Sequence, residues 1–299
     1  MPNTLAHLGV QGIATRALLR DADHKWIYIG CILPDLPWIL QRVMRLTFSG
    51  LDLYDLRLYA IVQSSLFFCL LLSLALAVLS THFWKIFVIL GLNSFLHLFL
   101  DALQTKWANG VQFLTPFNWQ LTNFGFFWPE SLPTYLLIAF GLTYFVLNWR
   151  HSIEVPFDMT RRPAIRLFAF IALIFVYFAT PLLLIDRPEN ANNHFVRTLR
   201  SHQDRTGRYV EFDRVAYDHQ ASGGVLRTFA KEDLNVEGMT LNRSTELSIR
   251  GIFVTHDRIR VKEYHVHAHL IRDIASYLGL SLVTLLWIDA VRRKLATLK

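Results

Sequence analysis

The chain has 299 residues, a formal net charge of +7 and a mean hydropathy of +0.31. Hydrophobic residues make up 53% of it, which is too apolar for a soluble domain. The positive charge does not indicate nucleic-acid binding, because the polar stretch 186–273 is nearly neutral, with 14 Lys and Arg against 13 Asp and Glu. The excess charge belongs to the apolar part of the chain, where anionic lipid headgroups are the expected counterpart.

Five apolar runs are long enough, alone or with flanking residues, to cross a bilayer, which takes about 20 residues. The runs are Ala60 to Leu79, Ile86 to Leu100, Leu132 to Asn148, Leu167 to Ile185 and Ile274 to Ile288. We therefore predict a mainly α-helical integral membrane protein with about five transmembrane helices, N-terminal half-embedded helices and an inserted small antiparallel β domain. The predicted boundaries are a helical membrane domain at 1–185, the β domain at 186–273, and a last transmembrane helix with a basic tail at 274–299.

The first forty residues contain two polar side chains within apolar surroundings. His7 lies in an imperfect helical stripe, and Asp35 lies between Pro34 and Pro37, which break the next apolar segment. An acid held at a fixed break in the backbone requires a partner. The alternative is that Asp35 caps the helix that follows it, a common use of aspartate after proline.

His97 and Asp101 interrupt a run that is otherwise apolar. They are four residues apart, so on a helix they extend from the same face about one turn apart. A carboxylate inside a membrane helix costs about 2.5 to 3.5 kcal/mol on insertion scales, so it requires a partner. Imidazole and carboxylate together are suitable ligands for zinc or a similar divalent ion. A hydrogen bond between His97 and Asp101 that joins helices explains the pattern equally well.

Lysine and arginine in the short loops predict the orientation in the membrane. Loop 149–166 and the C-terminal tail are rich in arginine and lysine and should be cytoplasmic, whereas loop 101–131 has only Lys106. Five spans then place residues 1–59, loop 101–131 and segment 186–273 on the outer face. His7, Asp35, His97 and Asp101 all lie toward that face. We expect a multi-pass protein of a bacterial-type inner (plasma) membrane.

Residues 113–133 are rich in phenylalanine and tryptophan and precede the third predicted span. Such a density of aromatic residues at the end of a span favours an interfacial belt. The alternative is a lipid-facing rim that admits an amphiphilic substrate.

After Pro188 the chain changes to segments that alternate in polarity or are rich in β-branched and aromatic residues, separated by turn-like sequences. We predict a barrel or sandwich of four to six strands with a binding role and no chemistry. Three imidazoles, His265, His267 and His269, follow one another at period two on the last predicted strand. With no acid or cysteine at matching spacing, a solvated or headgroup-facing strand is favoured over a metal site.

Several short motifs of the first 120 residues keep a common order. They are His7 in NTLAHLGVQG, Pro34–Asp35 in GCILPDLPW, and His97 with Asp101 in LHLFLDALQTKWANGVQFLTPF. In this respect the chain resembles the YdjM-type membrane-bound metal-dependent hydrolases. That family is similar in turn to the all-helical fold of zinc-dependent phospholipase C and related nucleases, in which His and Asp side chains from several helices bind a cluster of metal ions. The resemblance implies hydrolysis of a phosphoester, including one in a lipid.

One departure from the family pattern concerns the start of the first long span. Many members have a His-Arg pair and a Thr-His-Ser motif there, where this chain has Leu58–Tyr59 and Gln63–Ser64–Ser65. Gln63 and Ser64 can hydrogen-bond to water or to a phosphate oxygen, but neither replaces a zinc-binding imidazole. A reduced site, a different metal and a lost activity are the alternatives that follow.

We predict that His7, Asp35, His97 and Asp101 converge on one divalent metal site, with zinc as first choice and His24 as a further candidate ligand. Asp35 and Asp101 are the candidate catalytic residues, since either could accept a proton from water. The predicted function is metal-dependent hydrolysis of a phosphoester or lipid-linked substrate at the membrane surface. The alternative is a non-catalytic membrane protein with a structural polar cluster and a β domain that binds a partner or an envelope component.

Overall fold

The computed structural model describes residues 3–154, 163–220, 223–268 and 270–296. His269, most of the loop after residue 154 and the last three residues lie outside these ranges. The helices are α1 Thr4–Leu18, α2 His24–Ile32, α3 Leu36–Thr47, α4 Leu53–Gln63, α5 Leu66–Val78, α6 Phe83–Leu103, α7 Leu132–Glu154, α8 Pro163–Ala179, α9 Asp186–Asn190, α10 Val196–Arg200 and α11 Leu270–Ala296. The strands are β1 Tyr209–Gln220, β2 Gly223–Arg227, β3 Asp233–Glu237, β4 Thr245–Phe253 and β5 Arg258–Val266.

Four helical segments of the described ranges are long and apolar enough to cross a membrane. They are Phe83–Leu103, Leu132–Ile153, Ala164–Asn190 and Ile271–Arg293. The predicted first span is instead two helices, α4 and α5, bent by 67° at a short break, and it makes a fifth candidate only if the pair is counted as one. At the break Ser65 is extended, and the Leu66 N–H donates to the carbonyl of Gln112 in a distant loop (3.0 Å).

Helix α1 lies at the centre of the helical part, where glycines allow it to approach its neighbours closely. A Cβ on Gly141 of α7 would lie 1.8 Å from the Leu5 carbonyl oxygen, and one on Gly279 of α11 would lie 2.9 Å from the Thr4 Cβ. Small residues at helix crossings allow such backbone contact, which is the usual means of packing apolar helices in a membrane. The two glycines therefore fix the position of α1, and with it the position of His7.

The five strands form a closed barrel in the order β1-β2-β3-β5-β4. The prediction of a small β domain is confirmed. Strands β2 and β3 are joined by a tight turn in which the Thr228 N–H and the Glu232 carbonyl are 2.8 Å apart. The prediction of an antiparallel domain is corrected in one detail, because β3 pairs in parallel with β5 to close the barrel. Alternating apolar side chains such as Leu226, Leu247 and Ile259 fill the interior.

The barrel contacts the helical part at two places. The loop between α6 and α7 approaches β1, where the Ala108 N–H donates to Glu211 (2.7 Å). On the other side α10 packs on α4, and the Tyr54 hydroxyl donates to the Leu199 carbonyl (3.3 Å). Between these contacts the helices and the barrel enclose a cavity of about 810 Å³.

Candidate metal centre

The structure brings together His7, Asp35, His97 and Asp101. His7 Nε2 lies 3.4 Å from Asp101 Oδ1, and His97 Nε2 lies 3.8 Å from Asp101 Oδ2 and 3.7 Å from Asp35 Oδ1. The two imidazole rings are stacked with centroids 4.0 Å apart. One ligand atom from each of His7, His97 and Asp101 lies within 4.8 Å of the others, a spacing that would allow all three to bind one ion. Asp35 lies beside this group, at His97.

Asp35 reaches this position because the backbone turns sharply at the two prolines. A 3-10 turn over Leu33–Asp35 separates α2 from α3, and Pro37 stands in the first turn of α3, where no N–H is needed. The Asp35 side chain makes no capping hydrogen bond to α3, so the capping alternative is wrong. Instead the buried carboxylate faces His97, and its burial raises its pKa above the usual range.

Hydrogen bonds to neighbouring groups orient both imidazoles. His97 Nδ1 lies 2.5 Å from the Cys31 carbonyl, which can only accept, so Nδ1 carries the proton and Nε2 presents its lone pair to the acids. His7 Nδ1 lies 2.9 Å from the Gln11 amide, which can donate to it or, after rotation of the amide, accept from it. Burial and then the neighbouring His97 lower the pKa of His7 to about 4, so its ring is neutral. Neutral imidazoles held by such outer contacts are the form that binds metal.

Two buried atoms of the cluster have no hydrogen-bond partner within the described chain. They are His97 Nε2 and Asp101 Oδ1. An unsatisfied buried polar atom costs about 1 to 3 kcal/mol, so it calls for an explanation such as an ion. The cluster also contains a competing cation, because Lys106 Nζ lies 3.1 Å from Asp101 Oδ2. An ammonium at this distance compensates the Asp101 charge without any metal.

The cluster opens on the cavity between the helices and the barrel. Asp35, His97 and Asp101 line this cavity, whereas His7 lies behind them and does not. The other lining residues include eight lysines and arginines and two acids of β1. The cations are Arg42, Arg45, Arg57, Lys106, Arg214, Arg227, Lys231 and Arg272. A polyanionic ligand would therefore find a favourable field next to the His and Asp side chains.

Gln63 and Ser64 do not join the His–Asp cluster. Gln63 is buried and donates to the Tyr177 carbonyl (3.3 Å) and to the Tyr59 hydroxyl (3.2 Å), on the side of α8. Ser64 lines the cavity, and its hydroxyl donates to the Ile61 carbonyl (3.1 Å). Only Ser64 of this motif therefore faces the space that a substrate could occupy.

His24 does not join the cluster, which corrects its assignment as a further ligand. It begins α2, while Asp35 follows the end of that nine-residue helix, so about 13 Å of helix separates them. Its Nε2 lies 3.0 Å from the Tyr144 hydroxyl, and its ring meets the edge of His151. These contacts engage Nε2 and the ring, while the buried Nδ1 has no hydrogen-bond partner among the described residues.

A second group of His and acid side chains joins the barrel to the loop before α7. It consists of Glu130, His265 and His267, whose ligand atoms also lie within 4.8 Å of one another. His267 is buried and uses both nitrogens, with Nδ1 3.1 Å from Glu130 and Nε2 2.8 Å from the Ser248 hydroxyl. The prediction of a solvated strand is therefore wrong for His267, because the loop 104–131 covers the end of β5.

Arg214 completes this second group by forming an ion pair with Glu130. Burial by itself would raise the pKa of Glu130, but the His267 hydrogen bond and the Arg214 charge outweigh it and lower that pKa to about 2. Trp128 stacks on His265 at 3.7 Å between ring centroids, and burial followed by the nearby His267 lowers the His265 pKa. The network explains how the loop is attached to the barrel.

Sequence reasoning missed three residues that matter to these sites. Lys106 was treated only as a loop charge, although it is five residues beyond Asp101 and so within reach of it. Glu130 and Arg57 carry no signal in the sequence, because their partners are more than a hundred residues away.

No protein-family model, curated protein or solved structure matches this chain.

Proposed function

We propose that the chain is a membrane-bound metal-dependent hydrolase that acts on a phosphoester or lipid-linked substrate. A divalent ion, with zinc as first choice, would be held by His7, His97 and Asp101, with Asp35 at its side. The observation that supports this most is the convergence of two oriented Nε2 atoms and two carboxylates at one end of a large cavity. The unpartnered His97 Nε2 and Asp101 Oδ1 fit the same assignment.

The protein's own side chains have distinct tasks in this proposal. A bound divalent ion supplies a more acidic water and polarises a phosphoryl oxygen. Asp35 faces the cavity beside His97, so its carboxylate is suited to accept a proton from water and return it to a leaving group. The arginines of α3 and α4 that line the cavity, Arg42, Arg45 and Arg57, attract and orient the anionic substrate.

The proposal includes insertion in a bacterial-type inner membrane with the barrel outside. The four apolar helical segments, and the bent pair α4–α5 as a fifth span, support it. Reporter fusions after residues 125, 155, 230 and 299 test it. We expect external signals from 125 and 230 and cytoplasmic signals from 155 and 299. A cytoplasmic signal at 230 would reverse the orientation.

Metal content tests the core of the proposal. Full-length protein purified in detergent should contain about one divalent ion per chain or more, and His97→Ala should contain almost none, because it loses a ligand at the centre of the cluster. His219→Ala is the matched control, since His219 is exposed on the barrel and should leave the content unchanged. Equally low metal in the wild type and in His97→Ala would reject the hydrolase.

The contact between Lys106 and Asp101 favours a second function, that of a non-catalytic membrane protein with a structural polar cluster. Lys106→Met separates the two. If the cluster binds metal, removal of the competing ammonium keeps metal content at the wild-type level or above. If the cluster is structural, Lys106→Met lowers the unfolding temperature as much as His97→Ala, and neither variant contains metal.

A further inference from the structure

Arg57 of α4 lies in the cavity wall without an acidic partner. Its guanidinium lies 5.1 Å from the ring of Trp38 and 5.0 Å from that of Phe229, and Nη2 is 3.0 Å from His194 Nδ1. No carboxylate oxygen of the described residues lies within 4.0 Å of it, and its buried Nε makes no hydrogen bond there. Three protein groups thus fix the orientation of Arg57, and none of them neutralises it.

No acid of the described residues contacts Arg57, and at longer range its charge interacts with Asp213 of β1. Burial, and then the adjacent Arg57, lower the pKa of His194 well below its usual range, so the imidazole is neutral. Its Nδ1 accepts a hydrogen bond from the guanidinium of Arg57. By contrast, Arg214 and Arg227 on the barrel side of the same cavity are paired with Glu130 and Asp233. A guanidinium between two aromatic rings with a free donor is well suited to an oxyanion.

The helices place further cations on the same side of the cavity. Trp38, Arg42 and Arg45 are spaced by four and three residues, so they share one face of α3. No carboxylate of the described chain lies within 4.0 Å of Arg42 or Arg45, and the former donates to the Tyr277 hydroxyl (2.5 Å). Arg57 of α4 and Ser64, which follows the end of α4, both line the cavity and are about 10 Å apart along the axis. Arg42, Arg45 and Arg57 thus line the same cavity as the His–Asp cluster.

We infer that Arg57 binds a second phosphate group of the substrate, distinct from the phosphoryl group that would be hydrolysed at His97 and Asp101. The role of the first group rests on the proposed function, whereas the anion site at Arg57 does not. The chemistry that fits is a diphosphate, carried either by a lipid or by a soluble molecule. The fork of Arg57 donates to its oxygens, and Arg45 and Arg42 contribute charge.

Titration calorimetry with inorganic pyrophosphate tests the site on full-length protein in detergent with EDTA, so that no divalent metal contributes. Arg57→Gln should weaken binding about tenfold or more, since a hydrogen bond to a charged group contributes about 1.5 to 3 kcal/mol. Arg227→Gln is the matched control, because Arg227 lines the cavity but is exposed and paired with Asp233. It should change the dissociation constant by less than about twofold.

Equal affinity of folded Arg57→Gln and wild type, or equal losses in Arg57→Gln and Arg227→Gln, would overturn the inference. If Arg57→Gln does not fold, Arg57→Lys replaces it and should still lose at least about threefold, because an ammonium lacks the bidentate fork. An unchanged constant in that variant would also reject the site.

A parallel titration with a short-chain prenyl diphosphate identifies the source of the anion. Tighter binding than pyrophosphate, still lost in Arg57→Gln, assigns a lipid substrate, and equal binding assigns a soluble one. Pyrophosphate binding that needs Arg57, together with equally low metal content in the purified wild type and His97→Ala, would keep this inference and reject the hydrolase. Metal content that depends on His97, with pyrophosphate affinity unchanged in Arg57→Gln, would keep the hydrolase and reject this inference.

Discussion

The clusters at His97 and at His267 each bring two imidazoles and a carboxylate within 4.8 Å of one another, yet their surroundings differ. In the first cluster each imidazole uses Nδ1 for an outer contact. His7 turns Nε2 toward Asp101, and His97 turns Nε2 toward Asp35 and Asp101. His267 has both nitrogens engaged, and Arg214 already pairs with the only acid, Glu130. The first cluster opens on the 810 Å³ cavity, whereas the second joins a loop to a strand.

Proximity of His and acid side chains therefore does not by itself indicate a metal site. In each cluster two buried atoms have no hydrogen-bond partner among the described residues, His97 Nε2 and Asp101 Oδ1 in the first and His265 Nε2 and Glu130 Oε2 in the second. What separates the two clusters is the second carboxylate of the first, Asp35, and its access to a cavity. Four predictions test this difference, and their expected effects decrease in order.

The largest effect is expected on metal content. His97→Ala should remove nearly all metal, whereas His267→Ala should keep the wild-type amount and only lower the unfolding temperature, because its loss leaves Ser248 and Glu130 with fewer partners. Elemental analysis of both purified variants measures this. Loss of metal in His267→Ala, with metal kept in His97→Ala, would mean that the second cluster is the metal site and the first is structural.

The next effect concerns the packing that places His7. Gly141→Leu puts a side chain where the Leu5 carbonyl oxygen now lies, so it should displace α1 and cost about 3 kcal/mol or more. Both the unfolding temperature and the metal content of this variant should be lower than in the wild type, because His7 moves with α1. Val146→Leu, on an exposed part of α7, is the control and should be nearly neutral. Full metal content in Gly141→Leu would show that His7 is not a ligand.

A smaller effect is expected from Glu130→Gln. The variant loses the negative charge of the Glu130 carboxylate, to which both Arg214 and His267 bind. We expect the free energy of unfolding to decrease by about 1.5 to 3 kcal/mol. Metal content should not change, because this cluster serves to attach the barrel. Thermal unfolding and metal analysis of the same sample measure both. A drop in metal with no change in stability would contradict the structural role.

The smallest effect is a pH dependence of the same network. The pKa of Glu130 is about 2 in the folded protein and 4.5 for a free glutamate. A carboxyl whose pKa is lower in the folded than in the unfolded protein stabilises the fold fully at a pH above its unfolded-state pKa. This contribution is lost as the pH falls from the unfolded-state pKa through the folded-state pKa. The unfolding temperature of the wild type should therefore approach that of Glu130→Gln as pH falls from about 5 toward 3. A constant difference over this range would show that Glu130 is not responsible.

The sequence by itself determined the local features of the molecule. The period of the helix places His97 and Asp101 on one face of α6, because residues four apart are neighbours there. The two prolines place Asp35 at a break, and alternation of polar and apolar residues marks strands such as β1 and β5. Each of these features depends on residues close together in the chain, so no tertiary contact is needed to predict it.

The tertiary structure decided the partners that give those residues their chemistry. Glu130 at His267 and the aromatic rings around Arg57 depend on how loops and strands pack against the helices. The parallel closure of β3 on β5 and the bend after Gln63 are of the same kind. Close backbone contact at Gly141 of α7 fixes the position of α1, and with it that of His7. The periodicity of the sequence does not specify this helix–helix distance. Charge compensation and close packing act between residues far apart in the chain, and local propensity contains no information on them.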